Sequence, residues 1–336
     1  MMHELKNIFK DYLNYKEQGL NTILATVVHL DGSSYRRPGV RMLIAENGKM
    51  TGAVSGGCVE KEVLFQASSV FKTGKPKMMT YDGRFRLGCE GILYILIEPF
   101  SPSNTLLEAF KNIIKDRNSF SIISNYEKDY GEHPNLGSYF EFYGNKIPLQ
   151  KEFESYTSSL TFKQILEPCY KLFIVGAEHD TVKLSQLALN MGWEVMVSTV
   201  PAEGKNIADF PGIDTLYDVE PLELPVDQID HQTAVVLMTH SYVKDLKYLF
   251  ALQEAKPMYF GLLGPSKRRE KLFNEFIELY PDSNYDFFEM IHGPAGLNIG
   301  AESPEEIAIA ILAEILTVLR GQKPIMLKDK KEGIHN

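Results

Sequence analysis

Past residue 169 the chain alternates short apolar runs with glycine turns and helical spacing. Runs at 171–175, 193–197, 233–239 and 257–263 are too continuously apolar for half-exposed strands, and 182–191 carries a helical stripe between the first two. Strands buried on both faces and separated by helices pair in parallel through crossover connections, because a tight turn can join only antiparallel neighbours. The half before it has a different rhythm. Leu5, Ile8, Phe9, Tyr12 and Leu13 fall at helical spacing ahead of Gly19, and a β-branched run covers 22–30. Asn47-Gly48 stands between strand patterns at 40–45 and 49–54, a type I′ hairpin signal. Val59, Val63, Leu64, Ala67, Val70 and Phe71 give a second helical face closed by Gly74, strands are expected at 78–81, 92–98, 120–125 and 139–143, and a helix at 106–115. The fold class is therefore α/β: an N-terminal α+β domain with a mainly antiparallel sheet over 1–147, a linker over 148–168, a Rossmann-like parallel-sheet domain over 169–325 and a polar tail over 326–336. The last helix is announced by Ser303, Pro304 and Glu306, a capping box with proline at its first position, and by Gly321 at its end.

A net charge of −9 over 336 residues excludes general binding to nucleic acid, whose backbone requires a basic field. Three cysteines make no disulfide framework and fit a reducing cytoplasm. The start has no apolar stretch of the secretory kind, and the apolar segment 307–319 is too short to span a bilayer, so a cytoplasmic protein off the membrane is expected.

Two of the cysteines lie in glycine turns. Cys58 ends Ser55-Gly56-Gly57-Cys58 directly before a helical pattern, and Cys89 lies in Gly88-Cys89-Glu90-Gly91 before a strand pattern. Glycine lets backbone N–H groups approach a ligand, and a helix start favours thiolate, a soft metal ligand and a nucleophile. Either thiol can also be a small buried hydrophobe, which is how Cys169 is read. Arg36, Arg37 and Arg41 surround Pro38-Gly39, and form either a clamp for an anionic group beside Cys58 or a solvated basic turn. Asp31 and Tyr35 are read as turn formers, and Lys267, Arg268 and Arg269 as an exposed helix start. His240 ends an apolar strand at the edge where α/β sheets bind ligands; it either contacts a ligand or stabilises its loop. The cysteine spacings give no zinc pattern, so no metal is expected apart from one carried by a cofactor.

These blocks resemble the XdhC/CoxI family, accessory factors of molybdenum hydroxylases such as xanthine dehydrogenase. The match runs from Gly32-Ser33-Ser34-Tyr35-Arg36-Arg37-Pro38-Gly39-Val40-Arg41 through Ser55-Gly56-Gly57-Cys58-Val59-Glu60 and Gly88-Cys89-Glu90-Gly91. It continues with Met238-Thr239-His240, Asp245, Gly261-Leu262-Leu263-Gly264, Arg268-Arg269, Pro294-Ala295-Gly296-Leu297-Asn298 and Pro304-Glu305-Glu306. The resemblance implies a protein that binds molybdenum cofactor (molybdopterin), assists its sulfuration with a cysteine desulfurase, and hands it to a molybdenum hydroxylase client. It also implies a homodimer, and a maturation factor rather than a dehydrogenase. Cys58, Cys89, Ser55, Gly56, Gly57, Arg36, Arg37, Arg41 and His240 are the candidate cofactor contacts, with Cys58 as the chemically active one.

Three positions depart from the expected patterns. Glu90 stands where the family often has glycine. In Gly176-Ala177-Glu178-His179-Asp180 a glutamate stands where a dinucleotide fingerprint wants its second glycine, and 197–201 offers no carboxylate for a ribose hydroxyl. NAD(P) binding is therefore not expected. A nicotinamide-dependent oxidoreductase, or a partner-docking module without a ligand, are the alternatives.

Overall fold

The first unit opens with α1 (Met2–Glu17), which buries Leu5, Ile8, Phe9 and Tyr12 as one stripe. There follow β1 (Thr22–Asp31), β2 (Arg41–Ala45), β3 (Met50–Gly52), α2 (Cys58–Thr73), β4 (Lys77–Asp82), β5 (Ile92–Pro99) and α3 (Asn104–Lys115). The unit closes with β6 (Phe120–Tyr126), β7 (Gly131–Glu132), β8 (Gly137–Phe142), β9 (Asn145–Pro148) and β10 (Leu160–Leu166). The computed structural model describes residues 2–32, 34, 36–83, 91–150, 160–283 and 285–330. The chain divides into two units, Met1–Pro168 and Cys169–Asn336.

One antiparallel sheet has the order β3-β2-β1-β5-β4-β7, and a second has β10-β6-β8-β9. Period-two alternation sends Ile23, Ala25 and Val27 to one face, where Val59, Val63, Ala67 and Val70 of α2 cover them. On the other face Val28, Met78 and Leu96 meet Tyr126 of the second sheet. Beside them α1 and α3 join through Phe9 and Phe110, stacked with ring centroids 4.0 Å apart. A hairpin forms over Asn47-Gly48, but not with the expected type I′ turn: Gly48 has φ 83° while Asn47 does not take positive φ, and the Gly48 N–H donates to the Ala45 carbonyl, as in a three-residue loop ending in a glycine bulge.

The stretch 148–168 is not simply a linker. Leu160–Leu166 is an antiparallel partner of β6 from Leu160↔Tyr126 to Leu166↔Phe120. It is an edge strand whose inward positions include Gln164 and Leu166, so its sequence shows no apolar run. Residues 151–159 lie outside the described residues.

The second unit comprises β11 (Lys171–Val175), α4 (His179–Asn190), β12 (Glu194–Thr199), β13 (Thr215–Asp218), β14 (Thr233–Leu237) and α5 (Tyr242–Leu252). It continues with β15 (Tyr259–Leu262), α6 (Ser266–Leu279), β16 (Ile291–His292) and α7 (Pro304–Arg320). The order β13-β12-β11-β14-β15-β16 is parallel at every pairing. Leu172 and Ile174 face Leu184, Ile311 and Ile315, whereas Phe173 and Val175 face Leu249, Leu272 and Phe276. This two-sided burial makes the strands continuously apolar. It is a Rossmann-like sheet whose strand order reverses between β11 and β14, where a ligand crevice is built in such folds.

Candidate functional site

In the first unit, strand register carries several loops to one end of the larger sheet. Asp31 at the end of β1 and Asp82 at the end of β4 both pair with Ile92, the first residue of β5. Gly83 and Gly91 flank the next connection and are joined by an N–H···O bond of 3.0 Å. α2 packs on β1, β4 and β5 and ends three residues before β4, so a helix of roughly 24 Å starts near the end of β4. The Ser55–Gly57 turn, Asp31 and the Gly83–Gly91 pair therefore share that end. Cys89 lies outside the described residues, as do Ser33, Tyr35 and Glu90.

Cys58 is the first residue of α2, preceded by Gly57 at φ 139°, a conformation suited to glycine. A Cβ added at Gly56 or Gly57 would meet nothing within 4 Å, so the turn presents open backbone. The carboxylate of Glu60 accepts the N–H groups of Ser55 and Gly57, both at 2.7 Å. Partial burial opposes its charge, but N–H donors from Ser55, its own backbone and Gly57 prevail and hold it below the ordinary carboxylate range. Glu60 thus brings a negative charge to the helix start, which opposes the thiolate that the helix dipole favours at Cys58.

The arginines separate. Arg37 is exposed, and Arg36 reaches Glu4 at 3.4 Å. Arg41 is 5% exposed and lies inside the unit, donating through Nη1 to the Gly39 carbonyl and to Gln164 of β10. It does not stand on an outer clamp, because it shares an inward face of β2 with Leu43 and Ala45. Burial lowers its pKa to about 10, against the pull of Glu98 and Glu4. Among the described residues its Nε and Nη2 find no partner, and neither does the hydroxyl of Thr26, its cross-strand neighbour. Glu98, wholly buried, accepts from the Ser138 backbone at 2.9 Å and hydroxyl at 2.6 Å. Burial raises its pKa to about 7, although Ser138 and Arg41 pull it down.

Asp31 is more than a turn former. It accepts from His29 at 2.8 Å, Tyr94 at 3.0 Å and Lys128 at 2.9 Å. Hydrogen bonds from Lys128, His29 and Tyr94 lower its pKa to about 2.

In the second unit, the loops after the parallel strands collect the conspicuous residues at the carboxyl edge. Gly176 has φ 135°, and a Cβ there would lie 2.5 Å from the Met238 carbonyl, so close approach of the β11 and β14 ends requires glycine. Glu178 is exposed at the start of α4, where a pyrophosphate would bind. His240 takes the left-handed region at φ 56°, with Nε2 3.2 Å from Asp180, so it bridges the two loops of the switch point. Asp180, inside the first turn of α4, is therefore a partner of His240.

Two expectations at this edge are corrected. The residues 197–201 contain no carboxylate, yet Glu203 folds back so that Thr199 donates to it at 2.6 Å, and Lys244 pairs with it. Partial burial raises the Glu203 pKa, but Lys244 and Thr199 outweigh it and bring it down. Arg268 and Arg269 are half-buried rather than an exposed helix start. Arg268 binds the buried carboxylate of Asp245 at 2.6 Å, and Arg269 donates to the Gly293 carbonyl. Nearby, Glu314 accepts from Tyr259 at 2.6 Å and from the Gly296 N–H at 2.7 Å, fixing the loop before α7. Burial and that carboxylate push the Tyr259 hydroxyl up.

Among the described residues no three His, Cys, Asp or Glu side chains converge as a metal site, and no helix is long and apolar enough to cross a membrane.

The model of the XdhC and CoxI family matches residues 16–82, spanning the Ser55–Cys58 turn, and that of the XdhC Rossmann domain matches residues 172–315. The chain belongs to the XdhC and CoxI family. It is 28% identical over 314 residues to a probable xanthine dehydrogenase subunit of Bacillus subtilis, covering 88% of this chain and 92% of that one. It is 25% identical over 305 residues to the molybdenum cofactor insertion chaperone PaoD of Escherichia coli, covering 89% and 84%. A crystal structure from Bacillus halodurans, described as a xanthine dehydrogenase, superposes with a TM-score of 0.76 over 96% of this chain and 98% of that one. At 24% identity that likeness establishes the fold.

Proposed function

We propose that this protein binds molybdenum cofactor as cargo, assists its sulfuration and delivers it to a molybdenum hydroxylase such as xanthine dehydrogenase. The similarity to an insertion chaperone along nearly the whole chain carries this reading. The Ser55–Gly57 turn ahead of Cys58 supports it by leaving room for a bulky ligand at Gly56 and Gly57, although its N–H groups are already held by Glu60 and Ser55. Cys58 is the proposed ligand, with Cys89 proposed as a second contact. With Glu60 occupying the helix start, thiolate at Cys58 is favoured by the bound metal itself, which deprotonates a coordinating thiol. Arg36 and Arg37 supply charge toward the phosphate, whereas Arg41 acts from within by holding the Gly39 turn. A cysteine desulfurase provides the sulfur, and the protein works in the cytoplasm as a homodimer.

The second unit is proposed to bind no NAD(P). Glu178 repels a pyrophosphate at the start of α4, and Glu203 is committed to Lys244 and Thr199. His240 is the contact this unit offers to the cargo. The test is reconstitution: apo-xanthine dehydrogenase given released cofactor gains activity faster with this protein present, and an unchanged rate contradicts delivery.

A further inference from the structure

A groove of about 390 Å³ runs between α1 and α3 on the first unit, and none of the candidate cofactor contacts lines it. Leu13, Leu107 and Ile114 line it above the stacked Phe9 and Phe110 rings, and Leu13 is 43% exposed. Among the described residues that line it, Lys6, Lys10 and Lys111 stand against one acid, Glu108. An apolar trough with a basic rim is unusual on a chain whose net charge is −9.

We propose that this groove receives an amphipathic helix of a partner protein, one whose apolar stripe is bordered by aspartate and glutamate. Two helices with an open apolar seam accept a third through residues spaced i, i+3, i+4 and i+7. The lysines choose the flanks of that helix and its orientation. A second copy of this chain fits poorly, because a two-fold contact of groove on groove would bring two basic rims together. A small ligand fits poorly as well. Its sites carry convergent polar groups among apolar walls, whereas the charged groups here belong to a rim. Under the proposed function the partner is the client hydroxylase; that identity rests on the proposed function, but the groove's preference for an acidic helix does not.

The experiment uses the full chain and a fluorescein-labelled helical peptide of about 18 residues with leucines at i, i+3, i+4 and i+7 flanked by glutamates. A matched peptide carries lysines at the same flanks. Anisotropy at low salt is expected to show the acidic peptide binding at least about tenfold more tightly than the basic one. Leu107→Glu should abolish binding, and the doubly reversed Lys10→Glu/Lys111→Glu protein should favour the basic peptide, with circular dichroism reporting that both variants remain folded. Absent binding of the acidic peptide, equal binding of both peptides, or unchanged preference in the doubly reversed protein overturns the proposal. So does sedimentation showing a dimer that Leu107→Glu dissociates. Cofactor retention is measured separately, so failure here is distinguishable from failure of the delivery reading.

Discussion

Replacing Glu60 by alanine removes the acceptor that holds the turn before Cys58. Two backbone N–H groups, from Ser55 and Gly57, lose bonds of 2.7 Å to a charged oxygen. Buried bonds of this kind are worth about 1.5–3 kcal/mol each. Glu60 is partly exposed, so water recovers much of that, and the net loss expected is about 1–2 kcal/mol, as for other helix caps. For a unit of this size that lowers Tm by roughly 2–8 °C. The folded-state pKa of Glu60 is depressed, so its contribution is present above the unfolded value of about 4.3 and is lost as pH falls through the lower folded value. Calorimetry of wild type and Glu60→Ala should therefore differ at pH 7 and converge in acid. Equal Tm at pH 7, or a difference that does not shrink as the pH falls into acid, refutes the assignment. Glu60→Gln, which removes only the charge, should quicken alkylation of Cys58 by iodoacetamide at pH 7, since a negative neighbour disfavours thiolate.

Gly176→Ala should destabilise the second unit by at least ~2 kcal/mol, because the new methyl meets the Met238 carbonyl and φ is 135°; an unchanged thermal transition would contradict this. Glu98 has a raised folded pKa of about 7, so wild-type stability falls as pH climbs from about 4.3 to about 7. Glu98→Gln should flatten that dependence, and a parallel profile would show that another group causes it. Titration calorimetry with NADH should give no heat of binding, and micromolar affinity would restore the oxidoreductase alternative.

Local signals were legible before the structure. Ser303 and Glu306 form the expected capping box, with Gly321 in the left-handed region at the end of α7. The Gly-Gly pair before a helical stripe placed the start of α2 correctly to within a residue. What was not legible depends on partners distant in sequence. Arg41 looks like part of a basic turn until its register opposite Thr26 shows that it faces inward. β10 has one polar residue, Gln164, among its inward positions, and its partner lies some 40 residues earlier, so no local period marks it. Glu203 follows Pro201 in a short 3-10 turn that returns its side chain to Thr199, a geometry no motif in 197–203 announces. Glu60 carries no mark in the sequence beyond its place in the motif, and its cost to a Cys58 thiolate emerges only from the two N–H groups it occupies.

The central claim is that Cys58 holds molybdenum cofactor. Released cofactor mixed with purified protein and passed through a sizing column tests it most directly, with molybdenum and pterin fluorescence followed in the protein peak. Both should co-elute with the wild type and fall by an order of magnitude with Cys58→Ser, whose circular dichroism and Tm stay those of the wild type. Co-elution undiminished in Cys58→Ser, or none with the wild type, would contradict the account.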